Sequence, residues 1–348
     1  DGTACAVASL FMGVQLQCAQ CHDDPYRDWS QKDHWALAAF FGRTSGDFGN
    51  VREGNRGNNP SIAIPKTAFK NVGMNVPAAF LNGKKIEPDG SRFDRERLVN
   101  WLAAKDNPYF ARAFANRTWF YFFGRGLVSP IDDFRDLNPP THPGLMNLLT
   151  NEFAASGFDV KHLIRCICNS EAYQRTSRVA KGTDEQTVAA LTAAFGRMPI
   201  RIMTADQLYD SLKQAYGDPN LDLRGIDPKD GNTKGESAPV LDPYLEFLRR
   251  FGTNKEDPAD FTHGIPQMLT MINHPRLQQG SKALDEFRKA NAKATAEQIV
   301  EWLYLSTLSR RPTSVEQTES QQFLKRSPEA YHRVLWALAN RSEYLLVR

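Results

Sequence analysis

Apolar residues recur along most of this chain at three- and four-residue intervals, the spacing of one face of a helix, and rarely in the alternation of a strand. The pattern predicts a helix over residues 3–17, a polar turn at Asp23-Asp24-Pro25-Tyr26, and a helix over 30–41 with Ser30 as its N-cap. On that second helix His34, Leu37, Ala38 and Phe41 share a face. Residues 42–60 are rich in Gly and Asn and poor in core-forming side chains, so they read as a loop or linker. Residues 61–90 are the strand-like part, with a hairpin expected where Ala79-Phe80-Leu81 and Lys84-Lys85-Ile86 flank Asn82-Gly83. From residue 92 the helical spacing returns. It predicts helices over 92–105, from Pro108 to 123 with Gly124 as the stop, 142–155 after Thr141, 159–174 and 187–196. Further helices follow over 205–216 after Thr204, then 241–251, 265–273, 294–308, 313–324 and 327–340, with a polar insertion at 217–238. No internal repeat is present. The fold class is mainly α, with one small β-hairpin.

Within this pattern stands Cys18-Ala19-Gln20-Cys21-His22, a C-x-x-C-H pentad. It is the signature for covalent attachment of a c-type haem. Two thiols add across the two haem vinyl groups, and the adjacent His22 becomes the proximal iron ligand. With five cysteines and seven histidines in 348 residues, the pattern rarely arises by chance. Three other chemistries use the same residues. A redox dithiol needs a βαβ context that the pattern lacks. A zinc site would draw on Cys166 and Cys168 as its second half. A disulfide between Cys18 and Cys21 would be strained. The remaining thiols, Cys5, Cys166 and Cys168, read as buried and free.

Composition narrows the setting. Hydrophobic residues make up 41% of the chain and the net charge is +3, with Lys and Arg spread throughout, which points away from a nucleic-acid groove. No apolar run approaches the roughly 18 residues of a membrane-spanning helix. The chain starts at Asp1 without a leader, which reads as a processed or incomplete N-terminus. Covalent haem is attached outside the cytoplasm, so the pentad implies export to the periplasm or cell surface. The organisation is read as a haem-attachment segment over 1–42, a linker and hairpin over 43–90, and a helical domain over 91–348.

Longer motifs surround the pentad: F-M-G-V-Q-L-Q-C-A-Q-C-H-D-D-P, W-S-Q-K-D-H-W-A-L-A-A-F-F, N-P-Y-F-A-R-A-F-A-N-R-T-W and F-G-R-G-L-V-S-P-I-D-D-F-R. Downstream come N-P-P-T-H-P-G-L, K-H-L-I-R-C-I-C-N-S-E-A-Y-Q, I-P-Q-M-L-T-M-I-N and L-Y-L-S-T-L-S-R-R-P-T. Together, from Leu10 to Tyr344, they resemble the planctomycete cytochrome c domain followed by the planctomycete-specific C-terminal domain of unknown function. The resemblance implies an exported haem protein but supplies no reaction. The family pattern has C-H-D-H-P where this chain has Asp24, and usually a tyrosine where His34 stands.

The second axial position of the iron has several candidates. His142 in N-P-P-T-H-P ranks first, then His34, then Met74 in the loop V-G-M-N-V-P. The bland readings are a helix-start residue, a core-edge histidine and a packing methionine. His162, His263, His274 and His332 read as surface or packing histidines. Arg117 and Arg135 are candidates for bidentate contacts to the haem propionates. Asp132 and Asp133 could serve as an acid/base pair or a cation site, or could tie the loop to the helices beneath it. Three functions are compatible with one covalent haem: electron transfer to an unidentified redox partner protein, a haem enzyme with an open distal site handling peroxide or a small substrate, and an envelope interaction protein with structural haem.

Overall fold

The computed structural model describes residues 2–46, 50–54, 60–83, 86, 93–224, 242–252, 264–328 and 330–347. Its elements are mainly helical, as the spacing predicts. The chain divides into two units, residues 1–199 and 200–348.

The first unit opens with α1 (Gly2–Val7), which widens into a single π-helical turn, Ala8–Met12. The continuous helix expected over 3–17 is therefore cut short. Gly13 ends it at φ +67°, a left-handed conformation that favours glycine. Space demands glycine as well, because a Cβ there would lie 2.6 Å from the ring of Phe134. Ser30 caps α2 (Gln31–Ala38) through a reciprocal pair with Asp33, and a 3₁₀ turn extends it to Phe41. Two-residue strands β1 (Thr44–Ser45) and β2 (Arg52–Glu53) pair antiparallel, as do β3 (Ser61–Ala63) and β4 (Asn75–Pro77). The hairpin expected around Asn82-Gly83 falls partly outside the described residues. The pairing observed in this region instead joins Ser61 to Pro77 across a loop.

Next come α3 (Asp94–Leu102), α4 (Phe110–Phe123), α5 (Pro143–Ala155), α6 (Val160–Cys168) and α7 (Glu185–Ala193). Gly124 stops α4 at φ +68°, and Asp159 and Asp184 cap α6 and α7. Two apolar clusters hold the unit. One gathers α1, α2, the β3–β4 loops and α3 around Trp35, Phe40 and Trp101. The other packs α4, α5 and α6 around Trp119, Phe123 and Phe153. Residues 2–42 share a unit with α3 to α7. The cause is the seam at Gly13, where Phe134 of the α4–α5 loop packs on the end of the first helix and donates its N–H to the Gly13 carbonyl.

The second unit contains α8 (Ala205–Tyr216), α9 (Pro243–Phe251), α10 (Ile265–Asn273), α11 (Pro275–Gln278), α12 (Lys282–Ala290), α13 (Ala296–Leu308), α14 (Ser314–Arg326) and α15 (Tyr331–Ala339). They surround one core that includes Leu212, Tyr216, Phe251, Leu303 and Leu335. Strand β5 (Arg201–Ile202) pairs with β6 (Leu346–Val347). Among the described residues, no helix is long and apolar enough to cross a membrane.

Asn116 on α4 decides the course of the α4–α5 loop. It is fully buried, its Nδ2 donates to Val128 O at 2.9 Å, and its Oδ1 accepts from Val128 N at 3.0 Å. Asn116→Leu leaves both Val128 groups without their partner. The expected loss is about 2–4 kcal/mol, from roughly 1–3 kcal/mol per orphaned group with non-additivity. Urea unfolding of the variant against wild type measures it.

Candidate functional site

The pentad folds as one tight helical turn. Cys18–Gln20 is 3₁₀, and the Cys18 carbonyl accepts from both Cys21 N at 3.3 Å and His22 N at 3.5 Å. Side chains three residues apart eclipse along a 3₁₀ turn, so Cys18 and Cys21 face the same way, and His22 follows directly in the chain. Ala19, between them, points the other way and is wholly buried. Cys18 is exposed, Cys21 half-buried, and both are free thiols, so the expected alternative of a Cys18–Cys21 disulfide is not formed. The His22 ring is half-buried, and its Nδ1 lies 2.7 Å from the Asp23 carbonyl.

Helix α2 holds this turn from below. Trp35 Nε1 donates to Gln20 O at 3.0 Å, and Gln31 Nε2 donates to Cys21 O at 3.0 Å and Lys70 O at 3.1 Å. The Gln31 amide N donates to Asp23 Oδ1 at 2.8 Å, and its Oε1 accepts from Asn71 Nδ2 at 2.8 Å. Gln31 is buried, and sequence reasoning gave it no role; a glutamine opening a helix carries no motif.

The second-ligand candidates sit in different places. His34 is fully enclosed between α1 and α2, its Nδ1 3.7 Å from Cys5 Sγ and its ring edge-on to Trp35 at 4.9 Å. Its Nε2 has no hydrogen-bond partner. It is a core histidine rather than a core-edge one. Met74 packs against the same cluster at the end of the β3–β4 loop. His142 precedes α5 as its N-cap residue, without a side-chain capping bond, its Nδ1 3.2 Å from Thr141 Oγ1 and its ring 5.7 Å from Phe195. His34, Met74 and His142 thus lie on three separate elements. His263 lies outside the described residues.

The aspartates of the α4–α5 loop form a dense network with the first segment. Arg27 Nε donates to Asp133 Oδ1 at 3.0 Å, and Arg135 Nε to Asp133 Oδ2 at 3.0 Å. Ser9 Oγ donates to Asp132 Oδ2 at 2.7 Å, and Gln15 Nε2 to Asp132 Oδ1 at 2.8 Å. Arg27 also donates to Gln15 Oε1. Burial lowers the Arg27 pKa, but Asp133 and Asp24 more than offset this, so the guanidinium stands above its ordinary value. Each oxygen of both aspartates accepts from a side-chain donor, which is the loop-tying arrangement. Arg135 Nη1 donates to Tyr26 O at 3.2 Å and Arg117 Nη2 to Ser9 O at 3.2 Å, so both arginines serve protein partners here. Asp24, where the resembled pattern has histidine, accepts from Tyr26 N at 2.9 Å and lies 3.5 Å from Arg27 Nη1.

Cys5 is buried as expected, but Cys166 is exposed and Cys168 half-buried. The cause is their place on α6, which turns Leu163 and Ile167 inward instead. Cys166 Sγ lies 3.6 Å from His162 Nε2 on that helix. Among the described residues, no three His, Cys, Asp or Glu side chains converge as metal ligands.

The family model PSD1, described as a protein of unknown function (DUF1553), matches residues 94–324. The chain belongs to this family. A second model, PSCyt2, described as a protein of unknown function (DUF1549), matches residues 1–46, which include the pentad and α2. Comparison with curated proteins and with solved structures found no match. The PSD1 match begins at α3 and runs from the first unit into the second.

His34 generates a pH prediction. Burial, the largest cause, pushes its imidazole down to about 4, against an unfolded value near 6.5. As pH falls from about 6.5 to about 4, the unfolded chain takes up a proton that the folded chain refuses. Stability therefore drops through that window at up to about 1.4 kcal/mol per pH unit and levels off below it. His34→Leu flattens this part of the profile, measured as the urea midpoint at successive pH values.

Proposed function

We propose that Cys18, Cys21 and His22 carry one covalent c-type haem and that this PSD1-family chain is an exported electron-transfer protein. The observation that carries the reading is the paired state of the pentad. Two free thiols stand one 3₁₀ turn apart, and the imidazole follows directly after the second. The imidazole is already oriented, because Nδ1–H donating to the Asp23 carbonyl at 2.7 Å leaves the Nε2 lone pair for a metal. A hydrogen bond of this kind fixes the tautomer and strengthens the ligand. The name of the PSCyt2 model that matches residues 1–46 points to the same cytochrome-related chemistry.

Cys18 and Cys21 would hold the group as thioethers, each S–H adding across a vinyl group so that no oxidant is needed, and His22 Nε2 would supply a nitrogen to its iron. The bound haem supplies one-electron exchange between two iron oxidation states. The protein's share is to hold the turn still, through Trp35 on the Gln20 carbonyl and Gln31 on the Cys21 carbonyl. Electron transfer is favoured over haem-enzyme chemistry because Asp132 and Asp133, the expected distal acid/base groups, are held in ion pairs and hydrogen bonds with Arg27, Arg135, Ser9 and Gln15. Thioether formation places the protein in the periplasm or at the cell surface, where it would meet a redox partner protein.

The test is intact-mass analysis of protein matured in a periplasm that attaches haem c. Wild type should exceed the polypeptide by one haem, and the Cys18→Ser, Cys21→Ser double variant should equal the polypeptide. His22→Ala should retain the added mass and change the spin state in the optical spectrum. A wild-type mass equal to bare polypeptide or to polypeptide plus zinc ends the reading.

A further inference from the structure

The loop between β3 and β4, residues 65–74, is fastened to the attachment turn far more firmly than a surface connection requires. Its neck is closed by Gly73 N to Ile64 O and Ile64 N to Met74 O, both 2.9 Å. Asn71 and Gly73 take left-handed conformations, at φ +52° and +81°, which lets so short a loop fold back on itself. The Phe69 amide N donates to the Cys21 carbonyl at 3.3 Å. Gln31, only 1% exposed, grips that same carbonyl together with Lys70 O, while Asn71 donates to the Gln31 side chain. A buried amide with every hydrogen-bonding group satisfied is a rigid joint.

What this fixed backbone displays is the unusual part. Phe69 is 82% exposed and Val72 is 50% exposed, directly after the backbone bond to Cys21. Burying a phenylalanine stabilises a protein by roughly 1.5–3 kcal/mol, and here that gain is forgone. A single exposed apolar residue on a mobile tip needs no explanation. One held out on a loop bonded to the Cys21 carbonyl does. Lys66 and Lys70, both exposed, stand on either side of it in the sequence K-T-A-F-K. An apolar ring set between two cations complements a flat apolar macrocycle that bears two carboxylates.

We propose that residues 65–74 are the strap that covers the porphyrin, with Phe69 as its apolar contact and Lys66 and Lys70 as counter-charges for the propionates. This rests on the haem reading above. It goes beyond it by giving a role to a loop outside the pentad and to Gln31, which positions that loop. Phe69 contributes shelter from water, and its exposed position means that its removal leaves the fold intact.

The experiment uses the matured holoprotein and reads association of added imidazole with the ferric iron by stopped flow. Phe69→Ala should raise the association rate about tenfold, the size of effect that outer-shell residues have on metal sites, while its thermal melt matches wild type. Phe69→Trp should restore slow association. Lys66→Glu with Lys70→Glu should lower the midpoint potential, because negative charge near the iron favours the ferric state. An association rate in Phe69→Ala equal to that of wild type overturns the strap, and a partner protein whose binding is lost in the same variant would then be what Phe69 serves. A wild-type protein without covalent haem overturns the haem reading instead, so the two failures are told apart by mass before any kinetics are measured.

Discussion

The ion pair between Arg27 and Asp133 joins residues more than a hundred positions apart, and the first unit depends on it. Their side chains are 16% and 6% exposed, so the pair lies in a medium where an unpartnered charge is expensive. Arg135 shares Asp133, Gln15 shares Arg27, and Ser9 with Gln15 holds Asp132. The network therefore stitches the end of the first helix, the turn after the pentad and the α4–α5 loop at once. Phe134 fills the contact at Gly13 between these polar stitches. Removing Arg27 would leave Asp133 with Arg135 alone, and removing Asp133 would leave Arg27 with Asp24 at 3.5 Å, so either loss weakens the whole seam. The segment matched by PSCyt2 and the start of the segment matched by PSD1 are thereby one structural body.

Much of the fold was legible because helix ends carry local chemistry. Ser30 with Asp33, Thr204 with Gln207 and the Gly124 stop are each decided within four residues, and all three stand where the pattern placed them. Elements decided at a distance were not legible. The apolar spacing over 3–17 runs on through Gly13, which ends the helix in a left-handed conformation, and the need for glycine there is set partly by a ring from residue 134. Helix α12 was missed although Ser281 caps it, since K-A-L-D-E-F-R-K-A offers only Leu284 and Phe287 as large apolar side chains. The strong turn signal at Asn82-Gly83 competed with the pairing of β3 and β4, which a sequence window does not reveal.

The site divides the same way. The pentad announces its thiols and imidazole because the chemistry requires them at fixed spacing. What supports them was silent. Gln31 and Trp35 act through backbone carbonyls, which any residue at 20 and 21 would supply, so no pattern marks them. His34 was readable as apolar-face but not as enclosed, because full enclosure depends on α1 closing over it with Cys5. Asp132 and Asp133 read either as a chemical pair or as ties for their loop, and the donors that the fold brings to them match the tie.

In the second unit, β5 and β6 bring Arg201 beside Val347 and Ile202 beside Leu346. The first and last strands described in this unit thus lie side by side. A body whose entrance and exit coincide can be lifted out of one gene and set into the loop of another without stretching its host.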